Sequence, residues 1–194
     1  MNNDAQTLKK LQTFIEVASV SQLGSYFPND DIIATIMPNF GYGQVIANWT
    51  AMNFLSGPEF SITFKVHFNQ DNLIKPLSNI FGMKTNEIKP LQTMDFVKEF
   101  CNLASGFLKR NFEKHGMIIG CSLPMVTRGY YQVFQDEKAS IYLNNLHHCF
   151  TLEHPHFIFH IEAHCQILHP SALKIIDGIE DIKELESEDE IEFL

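Results

Sequence analysis

The chain has no apolar run of 18 residues and no signal-peptide pattern, which leads us to expect a soluble, cytoplasmic protein without a membrane span. It has no block of lysine or arginine, and that argues against nucleic acid as a partner. Its four cysteines (Cys101, Cys121, Cys149 and Cys165) show no C-x-x-C spacing. Reduced thiols, buried as small hydrophobes, are therefore expected rather than a disulfide framework or a thiol catalyst. Nucleophile-elbow, phosphate-loop and dinucleotide-binding motifs are absent, so a hydrolase triad or a nucleotide site has no support.

The formal net charge of −9 misleads at first sight. Between Asp177 and Leu194 nine acidic residues stand against Lys183 alone, so nearly all of the imbalance lies in the last eighteen residues and the body is close to neutral. A length of 194 residues suits one substantial core and is short for two. We expect one domain over 1–176 and an acidic tail over 177–194, in which Ile179, Ile182 and Leu185 could dock against the body.

Periodicity supplies the elements. Residues 5–24 carry Leu8, Leu11, Phe14, Ile15 and Ala18 at helical spacing, with Gly24 as a stop. Short strands are expected at Asp30–Met37 and Gln44–Asn53, separated by a Gly41-Tyr42-Gly43 turn. After Ser56-Gly57-Pro58, Phe60, Ile62, Phe64, Val66 and Phe68 alternate with polar residues in the period of a half-buried strand. Asn69–Phe81 reads as a helix with Leu73, Ile74, Leu77 and Ile80 inward and Gly82 as its end. Met117–Gln135 is strand-like but broken by Pro124 and Gly129, and Ala139–Leu146 is a further short strand. Phe157–Ile167 alternates without fault. The connections are short, which favours antiparallel pairing. The fold class that follows is α+β: long helices layered on a largely antiparallel β-sheet.

The longest helix, Thr93–Gly116, has Phe96, Val97, Phe100, Leu103, Ala104, Phe107 and Leu108 on one broad arc. Asp95, Glu99, Asn102 and Gly106 fall on the opposite edge, and Glu99 and Asn102, three apart, are surface neighbours. Thr93 is the candidate N-cap and Gly116 the candidate stop. An acid and an amide side by side on a helix edge are commonplace, and a solvated edge accounts for them on spacing alone. The histidines offer less. His156, His160 and His164 would gather on a helix, but along a strand four residues span roughly 13 Å, so no shared metal is expected. The direction of His147 and His148 is left open.

Asp95–Gly106 (DFVKEFCNLASG), followed by Gly120–Gly129 (GCSLPMVTRG), resembles the active-site region of the CheC/CheX/FliY phosphatases, with Phe81-Gly82-Met83 ahead of it and a matching order of elements. Their pattern is Asp or Ser, three residues, Glu, two residues, Asn, and a later Pro. Asp95, Glu99, Asn102 and Pro124 fit it, Pro124 within about a residue. The resemblance covers about residues 5–170 and implies a CheC-like layered fold and hydrolysis of the aspartyl phosphate of a CheY-like response regulator. It implies that Asn102, both donor and acceptor, orients the attacking water and that Glu99 pairs with the regulator's lysine. Asp95 and Pro124 would then support the interface. This chain would bind no metal, the Mg²⁺ being held by the phosphorylated partner. Relatives of the CheC type carry a second Glu-x-x-Asn on the first helix; here Glu16-Val17-Ala18-Ser19 ends in serine, so no second centre is expected. One centre resembles CheX, which favours a homodimer formed by sheet pairing. The alternative function is a CheC-like module that binds a receiver or a flagellar-switch component without turnover.

Overall fold

The computed structural model describes residues 2–37, 47–131 and 145–179. Its elements, in chain order, are α1 (Asn2–Gly24), β1 (Ile33–Ile36), β2 (Ala47–Ser56), β3 (Phe60–Phe68), α2 (Ile74–Phe81), α3 (Pro90–Lys114), β4 (Gly120–Cys121), β5 (Met125–Tyr131), β6 (Asn145–His154), β7 (Phe157–Ile167) and α4 (Ser171–Asp177). The strands form one sheet in the order β1-β6-β7-β3-β2, with β4 and β5 both paired to the far side of β2. Every pairing is antiparallel. This is the α+β architecture that the alternation of β3 and β7 requires.

One sheet face carries Phe60, Ile62, Phe64, Val66 and Phe68 from β3 and Phe157, Phe159, Ile161, Ala163 and Cys165 from β7, all buried. Against it pack Leu11, Phe14, Ile15 and Ala18 of α1 and Phe96, Val97, Phe100, Ala104, Phe107 and Leu108 of α3, in one continuous core. Aromatic contacts tie the elements together: Phe14 of α1 meets Phe112 of α3 edge-on at 5.5 Å, and Phe100 of α3 meets Phe159 of β7 at 5.7 Å across the layers. A helix fixed along its length by so many rings holds its outward side chains rigidly. That is what positions the site.

Several boundaries differ from the sequence reading. α3 begins at Pro90, not Thr93: proline's fixed φ suits the first helical position, and Gln92 Oε1 accepts from the Lys89 backbone N–H at 2.8 Å. Thr93 is buried inside the first turn and donates to the Pro90 carbonyl at 2.7 Å. Gly116, at φ +86°, does terminate the helix. The expected helix from Asn69 is a 3-10 turn, Gln70–Leu73, followed by α2. Asn69 turns its side chain away to accept from the Asn48 N–H at 3.1 Å. Ile80, expected inward, is 38% exposed, in the last turn of α2.

The largest miss is β6. The reading ended that strand at Leu146, whereas it continues to His154. Both of its faces are largely buried between β1 and β7, so Leu146–Leu152 shows little of the polar alternation that marks an exposed strand. The Gly41–Gly43 turn and residues 139–144 lie outside the described residues. Cys101, Cys149 and Cys165 are buried and Cys121 half-buried, all as free thiols. Ile179 is buried in the core; the tail from 180 lies outside the described residues. Among the described residues, no helix is long and apolar enough to cross a membrane.

Candidate functional site

Asp95, Glu99 and Asn102 are all exposed on the edge of α3 that faces away from the sheet. Asp95 is held by Lys98, one turn on, at 2.6 Å. Among the described residues neither Glu99 nor Asn102 makes a hydrogen bond or ion pair, so a carboxylate and a carboxamide stand together in solvent, roughly 5–6 Å apart at Cβ by helical geometry. They belong to a helix whose inner face is fully packed, so little conformational freedom remains in the backbone beneath them.

Tyr26, just past α1, joins this edge. Its ring meets Phe96 edge-on at 5.0 Å, and its phenol lies close enough to Glu99 to feel the charge. Burial, with Glu99 adding to it, raises the Tyr26 pKa. No local pattern announces this residue, because only the packing of α1 against α3 brings it there.

Pro124 is on a different element, the connection between β4 and β5, and is half-buried. That connection is tied down by Asn53, a fully buried amide in the middle of β2. Ser122 Oγ donates to Asn53 Oδ1 at 2.5 Å, Asn53 Nδ2 donates to Cys121 Sγ at 3.4 Å, and the Phe54 N–H reaches both Asn53 Oδ1 and Ser122 Oγ. The acid and amide thus share one helix edge, whereas the proline stands on the sheet margin.

The counterpart on α1 is built the opposite way. Ser19 is 0% exposed and donates to the Ile15 carbonyl at 2.7 Å. Glu16 Oε1 accepts from His148 Nε2 at 2.7 Å. This pair faces the protein interior.

The polar face of the sheet holds a network centred on Glu162, which includes His147, whose direction the sequence leaves open. Register places Lys65 and Cys149 on either side of Glu162. Glu162 accepts from Lys65 (3.1 Å), His67 Nε2 (3.3 Å) and His147 Nε2 (3.0 Å), while Thr50 Oγ1 and His67 Nδ1 lie 3.0 Å apart. Burial alone would raise the Glu162 pKa, but hydrogen bonds from His147 and His67 and the Lys65 charge override it and hold it well below the usual carboxylate range. Burial lowers His160 and His164, and pushes the Cys149 thiol up to about 12. Among the described residues, no group of three or more histidine, cysteine or acidic side chains is placed to hold a metal ion.

No protein-family model matches the sequence, and no curated protein does. Solved structures do match. CheX from Vibrio vulnificus superposes with a TM-score of 0.60 at 13% identity, covering 79% of this chain and 97% of its own. CheX from Desulfovibrio desulfuricans gives 0.57 at 17% identity over 78% and 95%. CheX from Borrelia burgdorferi, crystallised with CheY, BeF₃ and Mg²⁺, gives 0.56 at 11% identity over 79% and 96%. At these identities the likeness establishes the fold, which is that of the CheX and CheC-like chemotaxis proteins.

Proposed function

We propose that this chain is a cytoplasmic phosphatase for the aspartyl phosphate of a CheY-like response regulator. The observation that carries the reading is the Glu99–Asn102 pair, exposed on the outer edge of α3 and, among the described residues, engaged in no side-chain hydrogen bond or ion pair. Exposed polar side chains on a fully packed helix are suited to insertion beside another protein's reactive group. Of the solved structures that share this fold, one holds CheX against CheY with a phosphoryl mimic and Mg²⁺.

The chemistry follows from what the two side chains can do. Hydrolysis of an acyl phosphate needs a water in line with the breaking P–O bond, so the protein's part is positioning. The Asn102 carboxamide accepts from that water through its oxygen and donates to the phosphoryl group through its nitrogen. Glu99 pairs with the regulator's active-site lysine and seats the helix. Asp95, neutralised by Lys98, shapes the edge of the contact, and Pro124 braces the sheet margin beside it. The metal belongs to the partner, which holds Mg²⁺ against its own phosphoryl group. Two copies of the chain pair edge to edge through the sheet.

The deciding experiment is the decay of a phosphorylated receiver in the presence of this chain. Asn102→Ala is expected to bind the receiver while losing the accelerated phosphate release, and Glu99→Ala to weaken binding itself. Should the wild-type chain bind the receiver and leave its decay rate unchanged, the module is a non-catalytic binder and the phosphatase reading fails.

A further inference from the structure

Pro124 sits in a bulge whose shape is set from inside the sheet. β2 pairs with β4 as far as Leu55 opposite Cys121, and with β5 from Met52 opposite Met125. Between those points β2 has two residues, Asn53 and Phe54, and the facing segment has three, Ser122, Leu123 and Pro124. One residue is in excess, which makes a β-bulge, and Pro124 has no N–H to give to a ladder. Side chains complete the bonding instead. The Phe54 N–H donates to Asn53 Oδ1 at 2.9 Å and to Ser122 Oγ at 3.0 Å, and the Ser122 N–H donates to the Phe54 carbonyl at 2.8 Å. The Ser122 hydroxyl closes the ring on Asn53 Oδ1, and Asn53 Nδ2 reaches Cys121 Sγ. Asn53 is fully buried, so its amide is the fixed point of the bulge.

We infer that Asn53 is a positioning residue of the α3 site: through the bulge it stands Pro124 as a wall level with Asn102. This rests on the role proposed for Glu99 and Asn102. Two landmarks place the bulge. Trp49 and Met94 line one cleft, and Cys121, opposite Leu55, lies close enough to Lys109 to feel its charge. Leu55 is six residues beyond Trp49, roughly 20 Å along a strand, and Lys109 is fifteen beyond Met94, about 22 Å along a helix. β2 and α3 therefore run side by side in the same direction. Asn53, four residues on from Trp49, is then about 13 Å along, and Asn102, eight on from Met94, about 12 Å. Asn102 precedes Lys109 by seven residues and lies only about 20° from it around the helix, so both belong to the rim of α3 nearest the bulge. A wall at that level limits how deep an acyl phosphate sits against the carboxamide. In-line attack is sensitive to such placement, so the bulge acts on the rate and leaves affinity to Glu99.

The rate is read from single-turnover decay of a phosphorylated CheY-type receiver, and affinity from calorimetry with the same receiver locked by beryllofluoride and Mg²⁺. Asn53→Ala is expected to lower the saturated rate about tenfold, with Kd changed less than about twofold. Ser122→Ala, at a half-buried position, is expected to lower it about threefold. Ser122→Thr keeps the hydroxyl and is expected to restore the wild-type rate. Hydrogen exchange at the Phe54 amide reports the bulge itself, and its protection should fall in both alanine variants. A variant that loses this protection while its rate and affinity match wild type overturns the assignment and leaves the α3 site standing. A weakened Kd with an unchanged saturated rate makes the bulge a binding contact and overturns it equally. If circular dichroism shows that Asn53→Ala does not fold, the two Ser122 variants decide alone. A wild-type chain that leaves the receiver's decay unaltered removes both readings together.

Discussion

α1 and α3 lie side by side on the same sheet face, and each carries a glutamate followed three residues later by a small polar side chain. In α3 the pair, Glu99 and Asn102, points to solvent and, among the described residues, makes no side-chain hydrogen bond or ion pair. In α1 the pair, Glu16 and Ser19, is turned inward: the serine closes on its own helix and the glutamate binds His148. The same spacing therefore serves recognition on one helix and cohesion on the other. What separates them is rotation about the helix axis, set by where the large apolar residues fall. Motif spacing is informative only once the buried arc is known.

The sharpest way to break this contrast is Asn102→Ala. On our reading it costs on the order of 10²-fold in the rate of receiver dephosphorylation, about 2.7 kcal/mol in the barrier, with thermal stability changed by no more than about 0.5 kcal/mol. Single-turnover decay and a melting curve measured on the same preparation check both halves. Glu16→Ala should do the reverse. It strands a buried imidazole, and urea unfolding should show a loss of about 1–3 kcal/mol with turnover per folded molecule unchanged. Ser19→Asn tests whether the missing amide is all that α1 lacks. The site is fully enclosed, so the larger side chain should cost about 1–2 kcal/mol by overpacking and create no second centre, as assayed in an Asn102→Ala background.

The smallest effect concerns the sheet face that neither helix touches. His160 and His164 have lowered pKa values in the fold, so they bind protons less readily there than in the unfolded chain. Stability should therefore decline as pH falls through about 6.5, the unfolded histidine value. Glu162 is depressed, so its contribution is complete above about pH 4.5 and drains away below that. Urea midpoints at pH 7.5, 5.5 and 4 should fall in that order. Glu162→Gln should flatten the lower limb and leave the upper one in place.

Much of this was legible from residues alone. The alternation of Phe60–Phe68 and Phe157–Ile167 marks the two central strands, and the apolar arc of α3 puts Glu99 and Asn102 on its outer edge. Signals that depend on partners distant in sequence were not legible. Tyr26 reaches Glu99 only because α1 packs on α3. Lys65, His67, His147 and Glu162 converge only in the final strand register. β6 escaped notice for a related reason: flanked on both edges by β1 and β7 and largely buried, it shows little polar alternation to mark its rhythm. Thr93 was mistaken for a cap because a hydroxyl near a helix start is a good donor or acceptor in either role, while Pro90 had already set the boundary.

The Asp95–Lys98 bridge has a consequence for how the chain meets a cationic group. With Asp95 neutralised by its neighbour, Glu99 stands as the uncompensated negative charge of that helix edge. Encounter with a lysine then involves close to one net charge on this side, and at 0.1 M ionic strength the field is screened within about 10 Å. Association should consequently slow only gently as salt is raised. Replacing Lys98 by glutamine would unmask a second carboxylate and make that dependence visibly steeper.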